Sequence, residues 1–420
     1  MTLPGHHERE MIAFRQRNLA SCVGVLRDRG VLTLTELSRT TGLSRPTVES
    51  IVAELMEHGL VGEHPQAAEN PHRAGRPARQ FLFNSAAAYA ASVDLGLHRA
   101  TVLISDLSGS IVGSIQRDVP PAINGNGLIE LMGAVLRDAI TPLGITVDHL
   151  ASVVVCVTGI VDDHGRLRQS NVLPEWNGVN LADRFSEGLP CPVVVENDVN
   201  MAAVAEVHSG AAQSADDVVF VMVGHRISAA IILGSELHRG RNFAAGEVGD
   251  LESTGWVLQD SRETSVLGSF LGRTPEDVFA AAEAGDKEAE SLVRAFARRI
   301  ARGIAVVGLT VDPDLIVIGG GLSAAGEVLL NNLRTACAQL VTRQVQPPMV
   351  PSTLGMNGVA LGGLVRALQL VSQRLYGSRD IAVPALSVNG LREDLAAESL
   401  GTQLAASFGY QIRQAGHAPV

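Results

Sequence analysis

The hydrophobic residues change their spacing near residue 88, and this change divides the chain into two kinds of structure. Before it, apolar residues recur every three or four positions, as in amphipathic helices. After it, short apolar runs such as "VVFVMVG" and "DLIVIGG" are bounded by Gly, Asp and Ser, which is typical of strands. Strand runs that alternate with helical stretches predict an α/β fold of two similar lobes, with helices on both faces of each sheet.

The length of 420 residues is enough for two or three domains. The pattern predicts an N-terminal domain at residues 1–84, an α/β domain at 85–380 and a C-terminal extension at 381–420. Finer divisions are expected as follows: lobes of the α/β domain at about 85–195 and 196–354, a closing helix at about 355–378, and a helix near 390–407 in the extension.

Residues 11–64 have the pattern of three short helices followed by a strand. Thr33 and Glu36 are spaced as a capping box, Gly42 marks a tight turn, and Ser44 is placed to cap the third helix. The third helix would bury Val48, Ile51, Val52 and Leu55. Its first turn would present small polar and basic side chains to base edges in a major groove, unless the segment is a plain helical hairpin: Ser44, Arg45, Pro46, Thr47 and Ser50.

A basic segment lies between two predicted strands, "GLVGE" and "RQFLFN", which together would form the hairpin of a winged helix. Its arginines, Arg73, Arg76 and Arg79, are spaced to follow a minor groove; a solvated linker is the other interpretation. Residues 1–80 hold ten Arg and nine Asp or Glu, in a chain whose net charge is −11. A less acidic end on an acidic body favours contact with a polyanion.

The four cysteines lie far apart in the sequence and form no CxxC or CxC pair. This spacing favours reduced core thiols over a disulfide framework or a zinc knuckle. The first residues carry charges and histidines where a signal peptide has its apolar stretch, and no apolar run is long enough to span a bilayer. A cytoplasmic protein without membrane contact is therefore expected.

Six stretches, in one order and spacing, resemble the ROK family of repressors, open reading frames and sugar kinases. Together with the N-terminal winged helix they resemble its repressor branch, which implies a winged helix-turn-helix followed by a two-lobed actin-like ATPase domain of the ROK sugar-kinase type. The stretches are "GRPARQFLFN" (75–84), "VDLGLHRATVLISDLSG" (93–109), "TGIVDDHGRLRQSNVLPEWNGVNL" (158–181), "VENDVNMAAVAE" (195–206), "RGRNFAAGEVGD" (239–250) and "VDPDLIVIGGGLS" (311–323).

The resemblance implies a sugar pocket. Asn197, Asp198 and Glu247 match the family residues that hold the sugar, and Asn171 matches a further polar position. In the kinases the aspartate removes a proton from a sugar hydroxyl, but a carboxylate can equally hold a sugar without reaction. A structural role is the other interpretation of Asp198, as the N-cap of a helix over 199–208.

Two departures concern the segment after Glu247. The family has a Gly-His pair followed by a cysteine-rich zinc site, whereas this chain has Gly249-Asp250 and then no cysteine or histidine in "LESTGWVLQDSRETS". No metal is therefore expected. Asp250 takes the histidine position and can accept a hydrogen bond from a sugar hydroxyl, but it cannot donate one while ionised.

The two hairpins that would hold ATP phosphates depart further. "DLGLHR" keeps Asp94 and Gly96 but has Leu97 and His98 where the kinases have glycine and threonine. "GHRISAAI" keeps Gly224, while the changed positions hold His225, Arg226, Ser228 and Ala230. Side chains in place of glycine obstruct contact between backbone and phosphate, so kinase activity and a bound cofactor are not expected. Arg226 can instead attract an anion.

The sequence thus predicts a sugar-responsive transcriptional repressor with a non-catalytic sensor. Its expected partners are a palindromic double-stranded DNA operator, a sugar or sugar phosphate, and further copies of the chain in a homodimer or a dimer of dimers. An active ROK kinase for hexoses or amino sugars that also binds DNA is one alternative. A DNA-binding protein whose sensor has lost its ligand is another.

Overall fold

A computed structural model describes residues 6–65, 78–121, 123–224, 226–256, 270, 273–342, 346–377 and 381–387. The helices are α1 (His6–Arg29), α2 (Leu34–Thr41), α3 (Arg45–Glu57), α4 (Gly125–Ile140), α5 (Leu181–Phe185), α6 (Asp198–Ser209), α7 (Pro275–Glu283), α8 (Lys287–Val311), α9 (Gly326–Leu340) and α10 (Gly358–Tyr376). The strands are β1 (Leu32–Thr33), β2 (Val61–Glu63), β3 (Gln80–Phe83), β4 (Tyr89–Leu95), β5 (Arg99–Asp106), β6 (Ile111–Asp118), β7 (Leu150–Val157), β8 (Ile160–Val161), β9 (Leu167–Gln169), β10 (Val193–Asn197), β11 (Val218–Val223), β12 (Ile227–Leu233), β13 (Glu236–Leu237), β14 (Leu315–Gly319) and β15 (Met349–Pro351).

The N-terminal domain is three helices against a three-stranded sheet of order β1-β3-β2. The predicted capping box between Thr33 and Glu36 is confirmed, and Gly42 ends α2 with a φ of 72°, in the left-handed region that glycine adopts without strain. Ser44 caps α3 as predicted. The first helix, in contrast, is wrongly predicted as short, because α1 runs for 24 residues. The core holds the predicted buried face of α3: Val48, Ile51, Val52 and Leu55.

The domain that follows contains two five-stranded sheets with the same strand pattern. In the first, of order β10-β7-β4-β5-β6, β4, β5 and β6 pair antiparallel while β7 and β10 add in parallel. In the second, of order β13-β12-β11-β14-β15, β11, β12 and β13 pair antiparallel while β14 and β15 add in parallel. The prediction of two similar lobes is therefore confirmed at the level of topology.

Helix α10 follows the second sheet in sequence but packs on the first sheet and on α6. Two glycines of α10 permit this approach. A Cβ on Gly362 would lie 1.7 Å from the carbonyl oxygen of Met201, and one on Gly363 would lie 2.2 Å from the hydroxyl of Ser92. Only glycine allows the backbone of α10 to come this close, and the approach at Gly362 fixes α10 against α6.

Residues 381–387, which we call the interdomain strap, run between the two domains. Arg27 on α1 donates to the carbonyl of Ala382 over 2.9 Å, and Gln16 donates to the carbonyl of Gly377 at the end of α10. Ser387 exchanges backbone hydrogen bonds with Gly109 and Ile111 beside β6. The helix predicted near 390–407 lies outside the described residues.

Among the described helices, none is both long and apolar enough to cross a bilayer.

Candidate functional site

A cavity of about 340 Å³ lies between the two lobes and is lined by residues from both. Its walls come from the residues that follow β7, β9 and β10, from the turn between β11 and β12, and from the turn around Glu247. Since β7 and β10 end here, the cavity lies at the carboxyl ends of parallel strands, where open α/β sheets bind ligands. The predicted residues that the structure brings together here are Asn171, Asn197, Asp198, Arg226, Ser228, Glu247 and Asp250.

The junction of β10 and α6 presents Asn197 and Asp198. Asn197 is the N-cap: its Oδ1 accepts from the backbone N–H of Asn200 over 2.9 Å, and its Nδ2 donates to the carbonyl of Gly159. The alternative that Asp198 caps this helix is therefore wrong, because the preceding residue has the extended backbone that a cap needs. Asn197 therefore uses its amide group for hydrogen bonds within the protein, whereas the carboxylate of Asp198 faces the cavity.

Asp198 accepts a hydrogen bond of 2.7 Å from the hydroxyl of Thr158. Burial raises the pKa of Asp198, while the hydrogen bond from Thr158 and the nearby guanidinium of Arg226 oppose that rise. Partial burial also lowers the pKa of Arg226, although the carboxylate of Asp198 opposes this. The two charges thus lie close enough to stabilise each other inside the cavity.

Glu247 and Asp250 belong to one short turn after Gly246. Gly246 has a φ of 91°, and a Cβ there would lie 2.2 Å from the carbonyl oxygen of Ala229 on β12. The turn therefore rests directly on the second sheet. Burial, then the carboxylates of Asp250 and Asp198, raise the pKa of Glu247 to about 7. Asp250 is exposed at the edge of the cavity.

An ion triad surrounds Glu196, the residue before Asn197. Its buried carboxylate accepts from Arg239 over 2.5 Å and from Arg366 on α10 over 3.0 Å. Arg239 begins the loop that carries Glu247. The triad therefore ties together the end of β10, the loop that carries Glu247 and α10. Sequence reasoning missed it because its members are far apart in the chain.

The two tryptophans lie in different places. Trp176 is buried in the first lobe, where its ring packs edge-on against that of Phe185 with the ring centres 5.9 Å apart. Trp256 lines the cavity instead, and its indole N–H donates to the carbonyl of Ile300. Its place six residues after Asp250 was the only signal for it.

The two glycine hairpins are closed by similar backbone bonds. Gly96 donates its N–H to the carbonyl of Arg99, and Gly224 donates to that of Arg226, each over 3.0 Å. Leu97 is 43% exposed at the first turn, and His225 lies outside the described residues. Burial, then the charge of Asp198, raise the pKa of Asp94 beneath the first turn to about 7.

The glycine run at 319–321 has a packing explanation. A Cβ on Gly319 would lie 2.4 Å from the ring of Phe220, and one on Gly320, where φ is 84°, would lie 2.6 Å from the carbonyl of Val223. These glycines let the end of β14 approach β11. The run therefore carries no independent evidence for phosphate binding.

The recognition surface predicted on α3 is largely accessible. Ser44, Arg45, Pro46 and Ser50 are exposed, while Thr47 is half-buried and shares a 2.8 Å hydrogen bond with the Ser44 hydroxyl. The wing arginines differ among themselves. Arg73 and Arg76 lie outside the described residues.

Arg79 is held within the wing hairpin. It makes a two-pronged ion pair with Glu63, at 3.0 and 2.8 Å, and its guanidinium lies 5.3 Å from the ring centre of Phe81. The sequence did not reveal this pairing, since the partners meet only through the register of β2 and β3.

Family comparisons divide the chain at the same place as the fold. The model of the ROK family matches residues 90–261 and 271–371, and the IclR helix-turn-helix domain matches 25–65. A xylose repressor from Bacillus subtilis is 26% identical over 351 residues, which cover 78% of this chain and 88% of that protein. The DNA-binding transcriptional dual regulator NagC from Escherichia coli is 24% identical over 342 residues, which cover 75% and 83%.

Solved structures share the fold. A ROK family transcriptional regulator, a homolog of the E. coli MLC protein, aligns with a TM-score of 0.64 at 20% identity over 86% of this chain and 97% of its own. A ROK family glucokinase from Streptomyces griseus, in complex with glucose and AMPPNP, aligns with a TM-score of 0.57 at 24% identity over 67% and 100%. The alignment with the glucokinase therefore spans the whole of that chain and leaves about a third of this chain unmatched.

Proposed function

The chain belongs to the ROK family, and from that premise we propose that it is a sugar-responsive, DNA-binding transcriptional repressor of carbohydrate uptake or catabolism genes that acts in the cytoplasm. The observation that carries the proposal is a polar cavity between the two lobes of the C-terminal domain. The interdomain strap ties this domain to a winged helix. The relatives named as a xylose repressor and as a DNA-binding transcriptional dual regulator, which match 78% and 75% of this chain, support it.

The cavity has the chemistry to hold a sugar or a sugar phosphate. Asp198 and Glu247 present carboxylate oxygens that accept hydrogen bonds from hydroxyl groups, and Asn171 adds an amide. Arg226 offers a cation for a phosphate. A volume near 340 Å³ suits a monosaccharide rather than a longer chain.

We further propose that the sensor has no kinase activity. The side chain of Arg226 enters the cavity from the second hairpin, and Leu97 replaces a glycine at the first, so neither turn offers the bare backbone that cradles phosphates. The test is ADP release with ATP and a panel of hexoses, pentoses and amino sugars. Turnover that disappears in Asp198→Asn would show an active kinase instead.

DNA binding is assigned to the exposed first turn of α3 in two copies of the chain. A single winged helix buries too little DNA surface for strong specificity, so a homodimer on a palindromic operator follows. Replacing Arg45 with alanine should weaken operator binding and relax sequence choice at one base pair by about 1 to 3 kcal/mol. Arg168→Ala, which removes the same charge from the exposed surface of the sensor, is the matched control.

The sugar is proposed to act by shifting the sensor between two lobe arrangements. Ligand bound to both Asp198 and Glu247 bridges the lobes, and the Glu196 triad passes the change to α10, whose end contacts α1. A thermal-shift screen of free and phosphorylated sugars, with ATP included, identifies ligands, and fluorescence anisotropy of labelled operator measures DNA release. A sensor that no sugar stabilises, on a protein that still binds DNA, would contradict the proposal.

A further inference from the structure

The charged groups of the cavity are unequally compensated. Among the described residues that line it, three carboxylates accompany a single guanidinium, that of Arg226. Asp198 has two compensating neighbours, since the hydroxyl of Thr158 donates to it and Arg226 lies nearby. The other two carboxylates, Glu247 and Asp250, receive no hydrogen bond from any described donor.

The uncompensated pair lies on one side of the cavity. Glu247 and Asp250 are three residues apart on a single turn, closed by a 3.1 Å bond from the N–H of Asp250 to the carbonyl of Glu247. Both side chains border the cavity, and burial first, then the charge of Asp250, raise the pKa of Glu247. Arg226 comes from a different element, the turn between β11 and β12.

A partly buried pair of like charges is unfavourable until an opposite charge joins it. A neutral sugar offers hydroxyl donors but no positive charge. A protonated amine supplies several donors and one positive charge in the space of one hydroxyl. The cavity therefore has a place for a cationic group at the Glu247 side, which is separate from Arg226.

We propose that the ligand of this cavity is an amino sugar whose protonated amine is held between the carboxylates of Glu247 and Asp250. This inference rests on the proposed function, because it takes the cavity to be the sensor's sugar site. It names the chemical class of the ligand, and it gives Asp250 the role of selecting the amine.

The test compares sugars that differ only by an amine in place of a hydroxyl. Calorimetric titrations of the full chain at neutral pH use glucose with glucosamine, galactose with galactosamine, and mannose with mannosamine. Glucose is also compared with its 3-amino-3-deoxy and 6-amino-6-deoxy derivatives. N-acetylglucosamine supplies a neutral amide, and glucose 6-phosphate supplies an anion. One amino sugar should bind at least about tenfold more tightly than its hydroxyl counterpart and than the amide.

Variants locate the effect. Asp250→Asn and Glu247→Gln should each reduce the amine preference to about twofold or less, while Glu236→Gln, an exposed site on β13 with the same charge change, should keep it. Because Asp250 is exposed, its substitution should not impair folding, which the melting temperature checks.

Three results would overturn the inference. Equal binding of each amine and its hydroxyl counterpart would remove the role of the acidic pair, and the sensor function would stand if either sugar still released DNA. Tightest binding of glucose 6-phosphate would mean that Arg226 selects an anion. Binding of none of the sugars would reject the proposed sensor function together with the inference.

Discussion

The hairpins β4–β5 and β11–β12 hold the same place in two sheets of the same topology, but only the second contributes side chains to the cavity. Both turns begin with a glycine that closes the hairpin through one backbone bond of 3.0 Å. Leu97 at the first turn is 43% exposed and does not line the cavity, whereas Arg226 and Ser228 of the second do. The two hairpins therefore share a strand framework but differ in what their turns contribute to the cavity.

The second hairpin has an additional structural task that explains why its framework persists. The turn that carries Glu247 and Asp250 packs on β12 through Gly246, which touches the carbonyl of Ala229. A Cβ on Gly249 would make only ordinary contact with the carbonyl of Ile227, at 3.5 Å, so the close approach is at Gly246. The second hairpin thus supports the loop that carries Glu247, and no described loop of the cavity rests on the first hairpin in this manner.

The largest expected effect comes from separating that loop from the hairpin. Gly246→Ala places a Cβ 2.2 Å from a backbone oxygen at a φ of 91°, so we expect a loss of about 3 kcal/mol of unfolding free energy and of sugar binding. Gly234→Ala is the control, since its φ is 57° and no atom lies within 4 Å of the new Cβ. It should cost about 1 kcal/mol. Urea unfolding measures both, and equal losses would mean that the loop does not depend on β12.

A pH experiment compares the acidic group of each hairpin. The pKa values of Asp94 and Glu247 are both raised to about 7 in the folded protein, which therefore binds these protons more tightly than the unfolded chain. Each group favours folding at acidic pH, and that contribution is lost as the pH rises from about 4 to 7. Asp94→Asn and Glu247→Gln should both flatten this part of the stability profile.

Ligand binding separates the two groups. Ionised Glu247 is the better acceptor, so sugar affinity should increase by about tenfold between one pH unit below and one above its pKa. Calorimetry across this range should find the increase abolished in Glu247→Gln and kept in Asp94→Asn, because Asp94 does not line the cavity. Loss of the increase in the Asp94 variant alone would assign the titrating site to the first hairpin.

Local spacing was sufficient to predict the N-terminal domain. The capping box at Thr33, the cap at Ser44 and the buried stripe of α3 depend on residues within one or two helical turns, where sequence distance fixes geometry. The length of α1 was missed because its first turns carry charged and polar residues that form no apolar stripe. The two sheets were predicted because apolar runs and turn residues mark each strand.

Contacts between distant residues could not be predicted in the same way. Asn197 and Asp198 are adjacent and both are good caps, so only the backbone of the junction decides which one takes the role. Glu196 meets Arg366 across 170 positions, and the strap meets α1 across more than 350. Such pairs depend on how the lobes pack, which periodicity and motif spacing do not encode.

The smallest expected effect comes from replacing one side chain in each of the two turns. Arg226→Ser removes the charge that favours ionised Asp198, so the affinity for a neutral sugar should fall by about threefold. Leu97→Ser should leave it unchanged, because that side chain lies outside the cavity wall. A neutral sugar is the proper probe, since the charge of an amine or a phosphate would respond directly to the loss of Arg226. Calorimetry measures both affinities. Equal changes in the two variants would show that it makes no difference to binding whether the side chain of the turn lines the cavity.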